Sequence, residues 1–425
     1  MPRPLGSQSL ALTLFLAALA ALSSLSIDMG LPSFPALEAA LPGAAGRGAL
    51  TLSLFMAGFA VSPLFTGPVS DRFGRRKSLL VGLAGFTTSA LACALTPSFR
   101  LLLAARLVQG AAAGLCVIQP LAIVRDLLKG PDARKQIAQM AVVLGLAPLA
   151  APLVGSVVLA WGTWRTLYLI QALIGVAVGV WTALSFGESL PADRRQPLSL
   201  RQIGRSYRAV FGNRTFLGYA LVYAVGFGGL FTYISGSPSV FIGEFGMSEG
   251  AYSGIFAVTA FGLILGSLVN ARLATVSARR ILQVGLGTGL ACSLIALTLA
   301  GAGILTAGPL VALVFVIMVT WGMVSPTTNH QAIEPLPHVA GVASGSIRSL
   351  QMVMGAGTSA LFTAVAGRLI DSPSLAMTVM MTALMLVTVA LYVLLIHGRR
   401  EHAAATPVPI EAATDAAMRT GRRAA

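Results

Sequence analysis

Charge is what this chain of 425 residues has little of. Only 10% of its residues are charged, 29 Lys+Arg against 14 Asp+Glu. Soluble domains carry about 25%, so these charges are too few to coat a soluble protein of this length. Cysteine is scarce too. Cys93, Cys116 and Cys292 are odd in number, far apart and each inside an apolar run, which argues against disulfides and against a metal site. The chain has no G-x-x-x-x-G-K-[ST] run, so it is not by itself an ATP-driven pump, and no nucleophile–base constellation marks an enzyme. No cofactor is implied. No polar stretch is long enough for an added soluble domain, and the alternating ten-residue segments of a membrane β-barrel are not visible.

What is present is apolar: 56% of residues, with a mean hydropathy of +0.83. Twelve runs fall near residues 10–31, 49–69, 78–96, 101–124, 137–160, 166–187, 215–238, 251–271, 280–300, 308–331, 339–367 and 374–397. Each approaches the roughly 20 residues that a spanning helix needs. They are apolar all round rather than along one stripe, as lipid or helix neighbours on every side require. The first run exceeds the roughly 7–15 apolar residues of a signal peptide, and it continues into Asp28 and Pro32, so it reads as a retained helix. The expectation is an all-α membrane protein with twelve transmembrane helices, numbered here as spans 1 to 12.

The net charge of +15 would suggest nucleic acid in a soluble protein. Here topology is the better account. With both termini cytoplasmic, 23 Lys/Arg fall in cytoplasmic segments and four (Arg47, Arg100, Arg165 and Arg368) outside. That bias gives a multi-pass protein with its N- and C-termini inside, and no nucleic-acid partner. Arginine outnumbers lysine and Ala, Leu and Gly dominate, which fits a GC-rich bacterial gene; the expected location is the bacterial inner membrane.

The longest internal loop, 188–214, holds six arginines and divides the spans six and six. Residues 1–187 and 215–397 are then two six-helix bundles, 188–214 is a cytoplasmic linker, and 398–425 is a disordered cytoplasmic tail. The halves echo each other: Gly67-x-x-x-Asp71-Arg72 after span 2 is answered by Gly266-x-x-x-Asn270-Ala271-Arg272 after span 8. Two six-helix pseudo-repeats are the organisation of a secondary transporter with its site between them.

The strongest motif is Gly67-Pro68-Val69-Ser70-Asp71-Arg72-Phe73-Gly74-Arg75-Arg76-Lys77, read as a tight cytoplasmic turn in which Gly67 and Gly74 permit close approach or unusual dihedrals. The chain here resembles the major facilitator superfamily, whose loop between helices 2 and 3 carries G-x-x-x-D-R-x-G-R-R. Asp28-Met29-Gly30-Leu31-Pro32, Leu52-Ser53-Leu54-Phe55, Ala122-Ile123-Val124-Arg125-Asp126, Tyr233-Ile234-Ser235-Gly236-Ser237-Pro238 and Glu334-Pro335-Leu336-Pro337-His338-Val339-Ala340-Gly341 are similar to the Bcr/CflA drug-resistance transporters, which are drug:proton antiporters. These segments lie in both halves. Gly30, Lys77 and Arg348 depart from the pattern.

The resemblance implies roles. Arg75 and Asp126 form a conformational latch with the rest of the motif, Gly67, Asp71, Arg72, Gly74 and Arg76. Arg106, in Arg106-Leu107-Val108-Gln109-Gly110, governs protonation of a span-1 acid. Gly145, Pro148, Pro152 and Gly155 on span 5 resemble the antiporter motif, where proline kinks the helix and small residues allow close packing. From the residues alone, Asp28 is the one acid well inside a span. A charge there costs about 2.5–3.5 kcal/mol on insertion scales and is functional by default. A carboxyl is cheaper neutral than charged in apolar surroundings, which suits a proton carrier; a structural ion pair is the alternative. Tyr219, Tyr223, Phe227 and Phe231 recur every fourth residue of span 7, one face that either stacks on flat or cationic drugs or packs against neighbours. Trp321 and Asn329 are further candidates for the substrate site. Arg348, deep in span 11, is expected to face the cavity or an acid such as Glu334 or Asp71.

The resulting expectation is proton-coupled efflux of hydrophobic or cationic drug-like compounds by a monomer that needs the bilayer and protons. A metabolite exporter or importer of the same fold would need discrete polar cavity residues, with Gln109, Gln119, Gln171 and Asn329 as the main ones. A non-transporting receptor or scaffold would not need Asp28.

Overall fold

The structure is a computed structural model that describes residues 10–195, 200–273 and 275–397, except for the side chains of Ala141, Arg194, Leu200 and Gln202. The expected cytoplasmic tail, 398–425, and the basic residue Arg3 lie outside the described residues. Apart from a single bridge between Ala366 and Ile370, the described residues contain no β pairing.

The order is α1 (Leu10–Asp28), α2 (Phe34–Ala40), α3 (Leu50–Phe73), α4 (Arg75–Leu95), α5 (Phe99–Val117), α6 (Gln119–Leu127), α7 (Gly130–Trp161), α8 (Trp164–Ser185), α9 (Leu200–Gly212), α10 (Arg214–Pro238), α11 (Glu249–Arg272), α12 (Ala278–Gly301), α13 (Ala307–Ile333), α14 (Ala340–Val365) and α15 (Pro373–Tyr392). Spans 1 and 4 are each broken in two. Gly30 and Pro32 follow Asp28 and end α1, and Pro120, which lacks a backbone donor, stands just past the break between α5 and α6. Starts are capped by side chains: Asn213 accepts from the Phe216 amide at 2.9 Å, and Ser248, Ser277 and Ser372 make the same kind of bond on α11, α12 and α15.

Eleven helices among the described residues are long and apolar enough to cross a membrane. The twelfth, α14, spans 26 residues but carries Arg348, Gln351 and six Ser/Thr. It packs against α3 and α10, so its polar groups meet protein rather than lipid.

The spans sort into two packed groups. In the first, α3 packs on α5, α4 on α5 and α8, and α1 on α7; in the second, α11 packs on α13, α12 on α13 and α15, and α10 on α14 and α15. The groups meet where α3 lies on α14 and α7 on α11. Two glycine crossings repeat. A Cβ on Gly58 would strike the Leu107 carbonyl and one on Gly110 the Phe55 carbonyl; likewise Gly266 meets the Val319 carbonyl and Gly322 the Leu263 carbonyl. In each case the obstructed carbonyl lies three residues before the partner glycine. The structure therefore pairs Gly266 with Gly58, nine residues before the Gly67 that the sequence echo sets against it.

Two further expectations change. Residues 67–73 form no turn: α3 runs to Phe73, and the reversal is made at Gly74 alone, with φ of 96°. A Cβ on Gly67 would meet nothing within 4 Å, so that glycine serves neither close approach nor an unusual dihedral here. The stretch 188–214 is no plain loop either, because it contains α9.

Candidate functional site

A cavity of about 650 Å³ lies at the arginine-rich end, between the two groups. Its walls are α1 at Ala20, α3 from Pro63 to Asp71, the α5–α6 break, α7 at Ile137, Met140 and Leu144, and α14 from Gly341 to Arg348. Leu121, Ile137 and Leu144 are exposed large apolar side chains within it. From α9, Ile203, Ser206 and Tyr207 cover one side, and the Tyr207 hydroxyl donates to the Leu64 carbonyl at 2.8 Å. Burial pushes that hydroxyl above its ordinary pKa, so it remains a donor at neutral pH.

The opposite end is closed. Ala20 lines the cavity, and Asp28 stands eight residues further along α1, about 12 Å at 1.5 Å per residue. Asp28 is 5% exposed. Beyond it α2 lies on the segment 239–244, and Ser359 of α14 donates to the Ala49 carbonyl at 3.0 Å, joining the two groups.

Arg106 is 1% exposed. Its Nη2 donates to the Ser26 carbonyl at 2.9 Å, Nε to the Thr51 carbonyl at 3.2 Å and Nη1 to Gln109 Oε1 at 2.8 Å. Gln109 passes its own donor to Gln171 at 2.8 Å, and the guanidinium lies over the Phe55 ring at 4.4 Å and the Tyr168 ring at 5.6 Å. No ion pair joins Arg106 to Asp28 among the described residues; the guanidinium holds the backbone of the acid's helix instead. On its other side the Asp28 carboxyl is within electrostatic reach of the buried Tyr252 hydroxyl on α11, which shares a 3.0 Å hydrogen bond with Ser237. Tyr252 carries no sequence signal: it is one aromatic in an apolar run, and only packing across the two groups brings it to Asp28.

At the arginine-rich end, Arg75 pairs with Asp71 at 2.7 Å and with Asp126 at 3.0 Å, and also binds Ser70 Oγ. The Arg75 amide donates to Glu188 Oε1 at 2.8 Å, and Arg76 Nη2 donates to the Ala183 carbonyl at 2.7 Å. Positive φ at Gly74 and the Glu188 carboxylate packed against it explain why a glycine stands there. All these partners belong to the first group of helices, and Arg72 is exposed. Glu188 and Ser189, which donates to Asp126 at 3.3 Å, join the network from the chain's mid-point without any motif to mark them.

On α7, one continuous helix contains Pro148 and Pro152. A Cβ on Gly155 would strike the Met29 carbonyl, whereas Gly145 meets only Ile264 at ordinary contact distance. The span-7 aromatics do not line the cavity. Phe231 is buried and stacks on Phe227 at 5.6 Å, and Tyr223 leans on Trp321 at 5.7 Å. Trp321 instead lines a small void with Gly226 and Met381, and Tyr219 is half-buried. Asn329 lies within hydrogen-bonding reach of the Tyr223 hydroxyl. Of the glutamines a polar metabolite would need, none lines the cavity: Gln109 and Gln171 serve Arg106, and Gln119 is buried. Arg348 does line it, bonded to Gln351 Oε1 at 3.2 Å and paired with neither Glu334 nor Asp71.

Two groups of spanning helices around a cavity at their arginine-rich end are the arrangement of a membrane transporter. The family model described as Major Facilitator Superfamily matches residues 16–358, and the chain belongs to that superfamily. It is 34% identical over 364 residues to an uncharacterized MFS-type transporter, YdgK, of Bacillus subtilis, covering 84% of this chain and 90% of that one. It is 29% identical over 350 residues to a bicyclomycin resistance protein homolog of Haemophilus influenzae, covering 81% and 86%. The fold matches a crystal structure of a D-xylose–proton symporter with a TM-score of 0.69 at 14% identity, over 89% of this chain and 96% of that one.

Proposed function

We propose that this transporter exports drug-like small molecules in exchange for protons across the bacterial inner membrane, as a monomer of the Bcr/CflA group with both termini cytoplasmic. Residues 1–187 and 215–397 are the halves that rock about the site, joined through 188–214. The carrying observation is the separation of two sites: an apolar-walled cavity at the arginine-rich end and Asp28, the one buried carboxyl among the described residues, about 12 Å further along α1. Such an arrangement suits alternating access, in which cargo and proton occupy the protein on opposite strokes. The resistance named for the Haemophilus relative supports drug-like cargo. Glutamines turned away from the cavity speak against a small polar metabolite.

The test is proton movement in everted membrane vesicles. Compounds chosen by a susceptibility panel in an efflux-deficient host are added to vesicles holding an imposed pH gradient. Accelerated collapse of the gradient with the intact protein, absent with Asp28→Asn, is the expected result. A panel in which every protective compound leaves the gradient untouched overturns the proton exchange.

A further inference from the structure

Four features of the cavity bear on what it holds. Among the described residues, three arginines (Arg75, Arg125 and Arg348) and a single acid, Asp71, line it. Arg75 is engaged by both Asp71 and Asp126, so the only lining acid is already paired. Arg125 and Arg348 form no ion pair among the described residues. The cavity's field is therefore positive, and a cationic guest would find no free carboxylate in its lining.

Arg348 is the less exposed of the two unpaired cations. It is half-buried, whereas Arg125 is exposed. Its partner is a neutral amide, Gln351 Oε1, through Nη1, which leaves the rest of the guanidinium fork unclaimed. The Tyr223 hydroxyl of α10, itself within hydrogen-bonding reach of the Asn329 amide of α13, lies within electrostatic reach of the guanidinium. The same cavity is lined by the apolar side chains of Ile137, Met140 and Leu144 on α7. A long charged side chain that merely snorkels would extend to the helix end; this one turns into a cavity and holds an amide there.

Resting on the export reading above, we propose that Arg348 is the cargo-recognition residue and that the cargo is an amphipathic organic anion. Its carboxylate, sulfonate or phosphonate group would take the open side of the guanidinium fork, with its apolar body against Ile137, Met140 and Leu144. Planar, bidentate recognition of oxyanions is what arginine supplies and lysine does not. The span-7 aromatics Tyr219, Tyr223, Phe227 and Phe231 are not among the residues that line this cavity, so they offer its guest no cation-binding face there.

The experiment uses the purified full-length chain and three probes of one shape: 1-naphthoate, the neutral 1-naphthamide and the cationic 1-naphthylmethylammonium. Binding is measured by calorimetry and efflux in proteoliposomes. The wild type should bind the anion about tenfold or more tightly than the amide, a difference of about 1.4 kcal/mol. Arg348→Gln should shrink that ratio to near one, and Arg348→Lys should keep part of it. Equal affinity for all three probes in the wild type overturns the proposal. So does an Arg348→Gln protein that keeps the anion preference, or one that loses efflux of every probe by the same factor, which is the mark of a gating residue. Efflux of the amide and the cation without anion preference would leave export standing and remove the anion site. Binding of the anion through Arg348 with no efflux of any probe would do the reverse.

Discussion

Arg106 donates to the Ser26 carbonyl at 2.9 Å, two residues before Asp28, and makes no bond to the Asp28 carboxyl. The guanidinium is thus fixed on the backbone of the helix that carries Asp28, the one acid buried among the described residues, and is not ion-paired to it.

Asp28→Asn holds that position permanently neutral. Drug-induced proton release from detergent-solubilised protein should fall to background, and Asp28→Glu should retain part of it. Equal release from wild type and Asp28→Asn would place the proton site elsewhere.

Arg106 is also structural. Arg106→Ala removes donors from the Ser26 and Thr51 carbonyls and from Gln109, at about 1–3 kcal/mol for each group left unpaired. Arg106→Lys should recover little of the loss, because an ammonium cannot reach three acceptors in one plane. Thermal unfolding in detergent reads this directly, with both variants well below wild type. A lysine variant as stable as wild type would mean that the fork geometry is irrelevant.

The Arg75–Asp126 pair closes within the first group of helices. A double-mutant cycle with Arg75→Gln and Asp126→Asn should give a coupling of about 0.5–3 kcal/mol in stability, with turnover slowed and cargo affinity little changed. Gly74→Ala should cost about 1–3 kcal/mol on its own, through strain at positive φ and the displaced Glu188. A Gly74→Ala protein with wild-type stability and rate would show that the reversal tolerates another backbone path.

The repeated crossings predict equal sensitivity at equivalent places. Gly58→Leu and Gly266→Leu should each destabilise the protein by about 1–3 kcal/mol or more through overpacking against a backbone carbonyl, whereas Gly67→Leu should fold normally. If Gly67→Leu proves the most disruptive of the three, the pairing of Gly266 with Gly58 is wrong.

The number of spans and the buried acid were legible in the chain because hydropathy and an isolated charge are local properties. Each run had to satisfy its own backbone in lipid, whatever its neighbours did. The glycine motif was legible as well, since positive φ at Gly74 is a demand of a single residue. The rest depended on which faces meet. Whether Arg106 pairs directly with Asp28 was open in the sequence, because spacing along two helices carries no azimuth, and the fold turns the guanidinium onto the Ser26 carbonyl. The spacing-four aromatics of span 7 look like a wall, but half of a helix surface must pack, and packing took Phe231 and Trp321. Arg348 stood out as a misplaced charge, and only the assembly of the helices decided that it lines a cavity, bonded to Gln351 and within electrostatic reach of Tyr223, instead of pairing with an acid. Sequence by itself determined what must lie in the membrane; tertiary structure decided which polar groups see each other, because side-chain direction is settled by helix rotation and crossing, which no single helix encodes.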